Sequence, residues 1–181
     1  MPAAQPKAGS EFSSIPQKGA IQMMLEPKGI HVEIPGSETL MLKQLVLDFS
    51  GTLSCDGVLM PGVAERLKAL AKELSITVLT ADTFGTAARQ LDGLPVTLHH
   101  IETGRDKAEF IAGLNRRETA AVGNGRNDVE MIRSAALGIA VIQPEGCAGE
   151  LIAAARIVCS DILAALDLML KPLRIKASLR I

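Results

Sequence analysis

The sequence predicts an α/β protein of three-layer, Rossmann-like form: a parallel central sheet with helices on both faces, an N-terminal β-hairpin and no cap domain. Two observations carry that expectation. From Leu45 onward, short apolar runs of strand length alternate with longer stretches whose apolar residues recur every three or four positions. Such alternation favours parallel strands joined by crossover helices. Polar residues capable of chemistry, among them Asp48, Thr80 and Asn124, fall where the apolar runs stop, and open parallel sheets bind ligands beyond the carboxyl ends of their strands.

Taken in order, Ile30-His31-Val32-Glu33-Ile34 alternates like a half-buried strand, and Pro35-Gly36 turns the chain into a second extended run, forming an antiparallel hairpin. Leu45-Val46-Leu47 is a short buried strand ending at Asp48. Residues 61–74 read as a helix, with Pro61 in its first turn and Val63, Leu67, Leu70 and Leu74 on one face. Ile76-Thr77-Val78-Leu79 is a strand ending at Thr80. A helix over 84–92, a strand over 96–99 and a helix over 106–114 follow. A strand over 119–122 leads into a Gly-rich turn and a helix from Asn127. A strand over 137–142, a helix over 148–155, a strand at Ile157-Val158 and a helix over 161–170 complete the pattern. The basic, partly apolar run 171–180 reads as a solvated tail that packs its Leu and Ile on the domain.

Residues 1–28 are rich in Pro, Gly, Ser, Gln and Lys without a sustained hydrophobic period, which predicts a disordered leader. Gly9-Ser10-Glu11-Phe12 resembles translated cloning sites, so part of the leader reads as a vector remnant, with Met23 or Met24 as the natural start. Residues 29–181 then make one domain, in line with about 100–200 residues per domain. The 48% hydrophobic content suffices for a core, and with 2% aromatics that core must be built from Leu, Ile, Val, Ala and Met. So few aromatics argue against stacking on single-stranded nucleic acid. A net charge of -1 gives no electrostatic case for nucleic acid or an anionic membrane. No apolar run approaches the ~18 residues of a membrane span, and no signal peptide is evident. The expectation is a cytoplasmic protein without nucleic-acid or membrane partners. Cys55, Cys147 and Cys159 are odd in number and widely spaced, which suits reduced thiols rather than a disulfide framework or zinc site, though Cys55 lies close enough to Asp48 to line a site there.

Four polar signals carry the chemistry. In Asp48-Phe49-Ser50-Gly51-Thr52, a carboxylate at a strand end can attack phosphorus and carry an acyl phosphate, and Gly51 lets the backbone turn sharply beside a ligand. The bland alternative is an Asp bonded to its own turn. Thr80, followed by Ala81, can bind a phosphate oxygen or merely cap a helix, the role Asp82 suits better. Lys107 can neutralise phosphate and nucleophile together, or be a solvated charge like Arg105. Gly123-Asn124-Gly125-Arg126-Asn127-Asp128 offers oxygen ligands that suit Mg2+, or is a Gly-rich turn with a capped helix. A dinucleotide fingerprint fails on spacing. His31, His99 and His100 read as surface or packing residues, the adjacent pair facing opposite ways on a strand.

In this order, the four segments resemble the motifs of the haloacid dehalogenase superfamily. Leu47-Asp48-Phe49-Ser50-Gly51-Thr52-Leu53 and Gly123-Asn124-Gly125-Arg126-Asn127-Asp128 resemble the phosphorylation and hinge motifs of P-type ATPases, so the chain is similar to the soluble P-type ATPase-like phosphatases over residues 30–181. The resemblance implies an Mg2+-dependent phosphatase acting on a phosphorylated substrate. Asp48 would be the nucleophile. Thr80 and Lys107 would bind the phosphoryl group, with Ser50, Gly51 and Ala81 lining its cradle. Asp48, the Ser50 carbonyl, Asn124 and Asp128 would hold the metal. Two positions depart from the superfamily pattern. Ser50 stands where most phosphatases of the superfamily carry the acid–base Asp, a contribution of about 10²–10⁴-fold, so slow turnover is expected. Asn124 stands where Asp is usual, so weaker metal binding is expected. The spacings from Ser54 to Met60 and from Thr80 to Lys107 leave no room for a cap. The open site then calls for a macromolecular substrate or for a second copy of the chain as cover, with Val58, Leu59 and Met60 as its contact. A regulatory module of the same fold without catalysis is the alternative. A receiver-like domain lacks its acidic pair before Asp48, and a phosphonatase would need a Lys near the first motif.

Overall fold

The computed structural model describes residues 27–181. The expectation of a disordered leader therefore lies outside the described residues, save for Pro27 and Lys28. The hairpin forms from β1 (Ile30–Glu33) and β2 (Thr39–Leu42), paired antiparallel in a sheet of their own. Its turn follows from Pro35-Gly36: Gly36 sits at φ 78, and the Ser37 amide donates to the Ile34 carbonyl at 3.0 Å, as a Pro-Gly turn of type II requires.

The main sheet contains β3 (Gln44–Asp48), β6 (Ser75–Thr80), β7 (Thr97–His100), β8 (Thr119–Gly123), β9 (Leu137–Val141) and β10 (Ile157–Cys159). Its order is β10-β9-β8-β3-β6-β7, with every pairing parallel. Between β3 and the first helix lies only a two-stranded flap, β4 (Ser54–Cys55) and β5 (Val58–Leu59).

Alternate residues of β3 face two separate cores. Leu45 and Leu47 join the side built from α1 (Val63–Leu70), α6 (Ile162–Leu170), α7 (Leu173–Leu179) and the hairpin. Val46 joins the side built from α3 (Gly104–Ala112), α4 (Val129–Ser134) and α5 (Gly149–Ala154). Both faces are covered, as buried parallel strands demand.

Most boundaries shift by one or two residues, as where the helix expected from Asn127 begins at Val129, and four departures are larger or have a visible cause. The first helix starts two residues late, because Gly62 takes φ 86 at its N-cap and leaves Pro61 outside, and it gives way to turns after Leu70. The helix expected over 84–92 contracts to α2 (Ala87–Gln90), because Asp82 (φ 51) and Gly85 (φ 64) hold the preceding residues in a turn. The helix expected from Asp106 begins at Gly104, since Thr103 and Asp106 form a reciprocal capping box. The run 171–180 is largely the helix α7, with Ile175 buried and Leu173 exposed. No helix among the described residues is long and apolar enough to cross a membrane.

Candidate active site

β3 delivers Asp48 to the carboxyl rim of the sheet, where the chain reverses at once. The amides of Thr52, Leu53 and Ser54 and the Ser54 hydroxyl all donate to the Phe49 carbonyl, at 2.9–3.2 Å. Phe49 itself is fully buried and anchors the loop. Gly51 takes φ 71, and a Cβ there would lie 2.5 Å from Asn124 Nδ2, so glycine is required for conformation and for space alike. The Thr52 hydroxyl donates to Asp48 Oδ2 at 2.8 Å and stands 3.0 Å from Asn124 Oδ1.

β8 delivers the second loop. Asp128 is wholly buried; its Oδ2 accepts from the Asn124 and Gly125 amides at 3.2 and 2.9 Å. α3 supplies Lys107, 1% exposed, whose Nζ lies 2.5 Å from Asp48 Oδ1 and 2.6 Å from Asp128 Oδ1. The approach of α3 to this loop depends on Gly104, where a Cβ would meet the Asn127 carbonyl oxygen at 2.5 Å.

Asp48, Lys107 and Asp128, each singled out in the sequence, thus form one ion-paired cluster; Asn124, also singled out, joins it through its contacts with Thr52 and Asp128, and Ser50 and Gly51 lie in the loop beside them. Thr80 is buried one residue beyond Leu79, the β6 partner of Asp48, and its hydroxyl accepts from the Asp82 amide at 2.8 Å. Among the described residues no hydrogen bond joins Thr80 to Asp48 or Lys107. Ala81 is exposed. Asp82 caps α2 by accepting from the Thr86 and Ala87 amides. The Ser50 hydroxyl oxygen is buried and makes no hydrogen bond. His99 is exposed and packs on Phe110, with ring centroids 5.0 Å apart. Cys55 sits in the flap, its thiol held above the usual value by partial burial and by the Asp56 and Glu145 carboxylates, which disfavours a reactive thiolate.

Two carboxylates share one ammonium here, so with both ionised the cluster carries one uncompensated negative charge out of water. Burial, and secondarily the Asp128 carboxylate, push Asp48 up to about 7, against the opposing pull of Lys107 and Thr52. For Lys107, burial acts downward, but Asp48 and Asp128 outweigh it and leave the amine above its usual value. A surplus of negative charge among hard oxygen donors fits a divalent cation such as Mg2+. Asp48, Asp128 and the Asn124 side-chain oxygen are the groups that would face it.

Residues 106–160, which include Lys107 and the Asn124–Asp128 loop, match the family model described as haloacid dehalogenase-like hydrolase. The chain belongs to the haloacid dehalogenase superfamily. A relative from Methanocaldococcus jannaschii, an uncharacterized protein, is 44% identical over 64 residues, which span 35% of this chain and 69% of that protein. Among solved structures, this superfamily member resembles the 3-deoxy-D-manno-octulosonate 8-phosphate phosphatase of Moraxella catarrhalis, in complex with magnesium, phosphate and KDO. The TM-score is 0.62 at 18% identity, covering 76% of this chain and 90% of that one. The cobalt-bound deoxy-D-mannose-octulosonate 8-phosphate phosphatase of Haemophilus influenzae gives a TM-score of 0.60 at 16% identity over 75% and 91% of the two chains. An apo phosphoserine phosphatase gives 0.57 at 16% identity over 72% and 98%. At these identities the likeness is one of fold.

Sequence reading missed two residues that shape the site. Gln143 donates from Nε2 to the Thr52 carbonyl at 2.6 Å, and nothing in its neighbourhood in the chain announces a polar role. Gly104 lay outside the helix expected from Asp106, although Thr103 and Asp106 mark the cap beside it.

Proposed function

We propose that the protein is an Mg2+-dependent phosphohydrolase or phosphotransferase of the P-type ATPase-like group, acting in the cytoplasm through an aspartyl phosphate on Asp48. The observation that carries this reading is the Lys107 ammonium lodged between the Asp48 and Asp128 carboxylates at the carboxyl rim of the sheet. An Asp48 oxygen attacks the phosphorus of a phosphate monoester, and the bond to the leaving oxygen breaks, its electron pair departing on an alkoxide that takes a proton from solvent. Water then attacks the acyl phosphate, releasing inorganic phosphate and the Asp48 carboxylate; an acceptor alcohol in place of water gives transfer. Thr52 holds one Asp48 oxygen and leaves the other to Lys107, which balances charge on nucleophile and phosphoryl group. Thr80, Gly51, Ser50 and Ala81 border the space for the phosphoryl oxygens. Asp48, the Ser50 carbonyl, Asn124 and Asp128 would hold the ion directly or through water. When bound, Mg2+ would offset negative charge on the phosphoryl oxygens.

Turnover is slow in this reading. Ser50 occupies the acid–base position, and its buried hydroxyl bonds to nothing that would polarise it. Val58 is 60% and Phe84 45% exposed, an apolar ledge suited to a macromolecular phosphoester or to a second copy of the chain. Residues 29–181 act as one capless domain.

Incubation with p-nitrophenyl phosphate and Mg2+ tests the proposal: wild type turns over and Asp48→Asn does not, whereas equal rates remove Asp48 as nucleophile. The regulatory alternative draws on the same Ser50 and on the neutral amide of Asn124. It predicts no covalent phosphate on Asp48 after exposure to acetyl phosphate, and mass spectrometry of the treated protein separates the two readings.

A further inference from the structure

Gln143 lies just beyond β9 and is 5% exposed. Its Nε2 donates to the Thr52 carbonyl at 2.6 Å, while its Oε1 is buried and makes no hydrogen bond. Leaving a buried acceptor unsatisfied is unfavourable, and an apolar side chain of equal length would fill the same space without that cost. The residue's use must therefore lie in its single bond to Thr52. Thr52 is the residue whose hydroxyl donates to Asp48 Oδ2 at 2.8 Å.

The same short loop also grips the second carboxylate-bearing segment. The Gly146 amide donates to the Gln143 carbonyl at 2.8 Å, closing the turn. The Gly146 carbonyl accepts from Asn124 Nδ2 at 3.1 Å, and the Ala148 amide donates to the Asn124 carbonyl at 2.9 Å. With Nδ2 so engaged, Asn124 Oδ1 is turned toward Thr52. Residues 143–148 thus fasten the Asp48 loop on one side and the Asn124 loop on the other.

We infer that Gln143 is a positioning residue that sets the aim of the Asp48 carboxylate through Thr52, an inference that rests on the phosphohydrolase reading of the site. The bond fixes the Thr52 backbone, and its hydroxyl then holds Asp48 Oδ2, so the other oxygen keeps one direction toward the incoming phosphorus.

The test compares wild type, Gln143→Met, Thr52→Val and the double variant by p-nitrophenyl phosphate kinetics with Mg2+, by Mg2+ calorimetry and by Tm. Methionine keeps the length of glutamine but removes both the donor and the unpaired oxygen, so Tm is expected to move by less than about 4 °C. The expected kcat falls about tenfold or more, with KM held within about twofold, since a misplacement of about 1 Å can cost 10²-fold. The Mg2+ Kd rises about threefold or more, and both effects vanish when Thr52→Val is already present, as coupling through that hydroxyl requires. Gln143→Asn, too short to reach the Thr52 carbonyl, is expected to repeat these losses. Unchanged kcat and Kd in Gln143→Met would overturn the inference. So would losses of equal size in both Thr52 backgrounds, which would mark a general loosening. If Asp48→Asn turns over as fast as wild type, the phosphohydrolase reading fails on its own. The calorimetric comparison in the two Thr52 backgrounds then still decides whether Gln143 acts through Thr52.

Discussion

Asp48 is an ionisable carboxyl facing another carboxylate in a place with little water. Burial first, and Asp128 second, raise it to about 7 from 3.8. Across that window the metal-free folded protein binds more protons than the unfolded chain, so this group's contribution to stability declines as pH rises from about 4 to about 7. Lys107 has the same sign in a higher window: raised above 10.5, it contributes stability that is fully present below that value and lost only as pH rises beyond it. A divalent ion relieves the repulsion between the carboxylates, and it does so most where Asp48 has lost its proton. Scanning fluorimetry should therefore show a larger Mg2+-induced rise in Tm at pH 8 than at pH 5.5; at a hundredfold excess over Kd the gain is about 2.7 kcal/mol. An equal rise at both values would contradict the raised Asp48. On the proposed reading Ser50 stands at the acid–base position, so Ser50→Asp should hydrolyse p-nitrophenyl phosphate faster by about 10²-fold, within the usual range for acid–base help. An unchanged rate would mean that Ser50 does not occupy the position assigned to it. Asp48 and Asn124 were legible because they are polar residues standing where buried apolar runs stop, and Lys107 and Asp128 because they follow in a helix start and a Gly-rich turn. The sequence could not show Gln143, since any polar residue after a strand looks like surface until its burial is known.

At the scale of elements, α3 is the part that must be placed most closely, because it carries Lys107 from one side chain's length away. Its cap, Thr103 accepting from Asp106 and Asp106 accepting from Thr103, fixes where the helix begins, and Thr103→Ala should cost about 1 kcal/mol in urea unfolding. Gly104→Ala sets two effects against each other. Helix propensity favours Ala by about 1 kcal/mol, but the new Cβ would press on the Asn127 backbone at 2.5 Å, and overpacking costs about 1–3 kcal/mol. The clash should prevail, with activity lost before stability as Lys107 and Asp128 are driven apart; wild-type kcat in Gly104→Ala would show that the contact does not matter. The strands were readable because apolar runs interrupted by polar residues have one cheap arrangement. Helix ends were less so: Gly62 could be helical or left-handed, and only its φ of 86 shows why Pro61 stays outside. The helix α7 was hidden by its charge, since a single buried Ile175 holds a segment that otherwise reads as a tail.

Across the whole molecule, β3 is buried on both faces, and its side chains divide between two cores. Leu47→Ala should accordingly cost about 2–5 kcal/mol by urea unfolding, with the strand beneath Asp48 still in place at low denaturant. The strand order β10-β9-β8-β3-β6-β7 also has a kinetic consequence. Lys107 is 59 residues from Asp48 along the chain, and β3 must pair with β8 before the Asn124–Asp128 loop can reach either. No contiguous fragment ending before β8 contains the cluster of Asp48, Lys107 and Asp128 as a whole. A refolding chain therefore gains turnover only in its last stage of assembly, and a time course of regained activity should lag the return of helical circular dichroism.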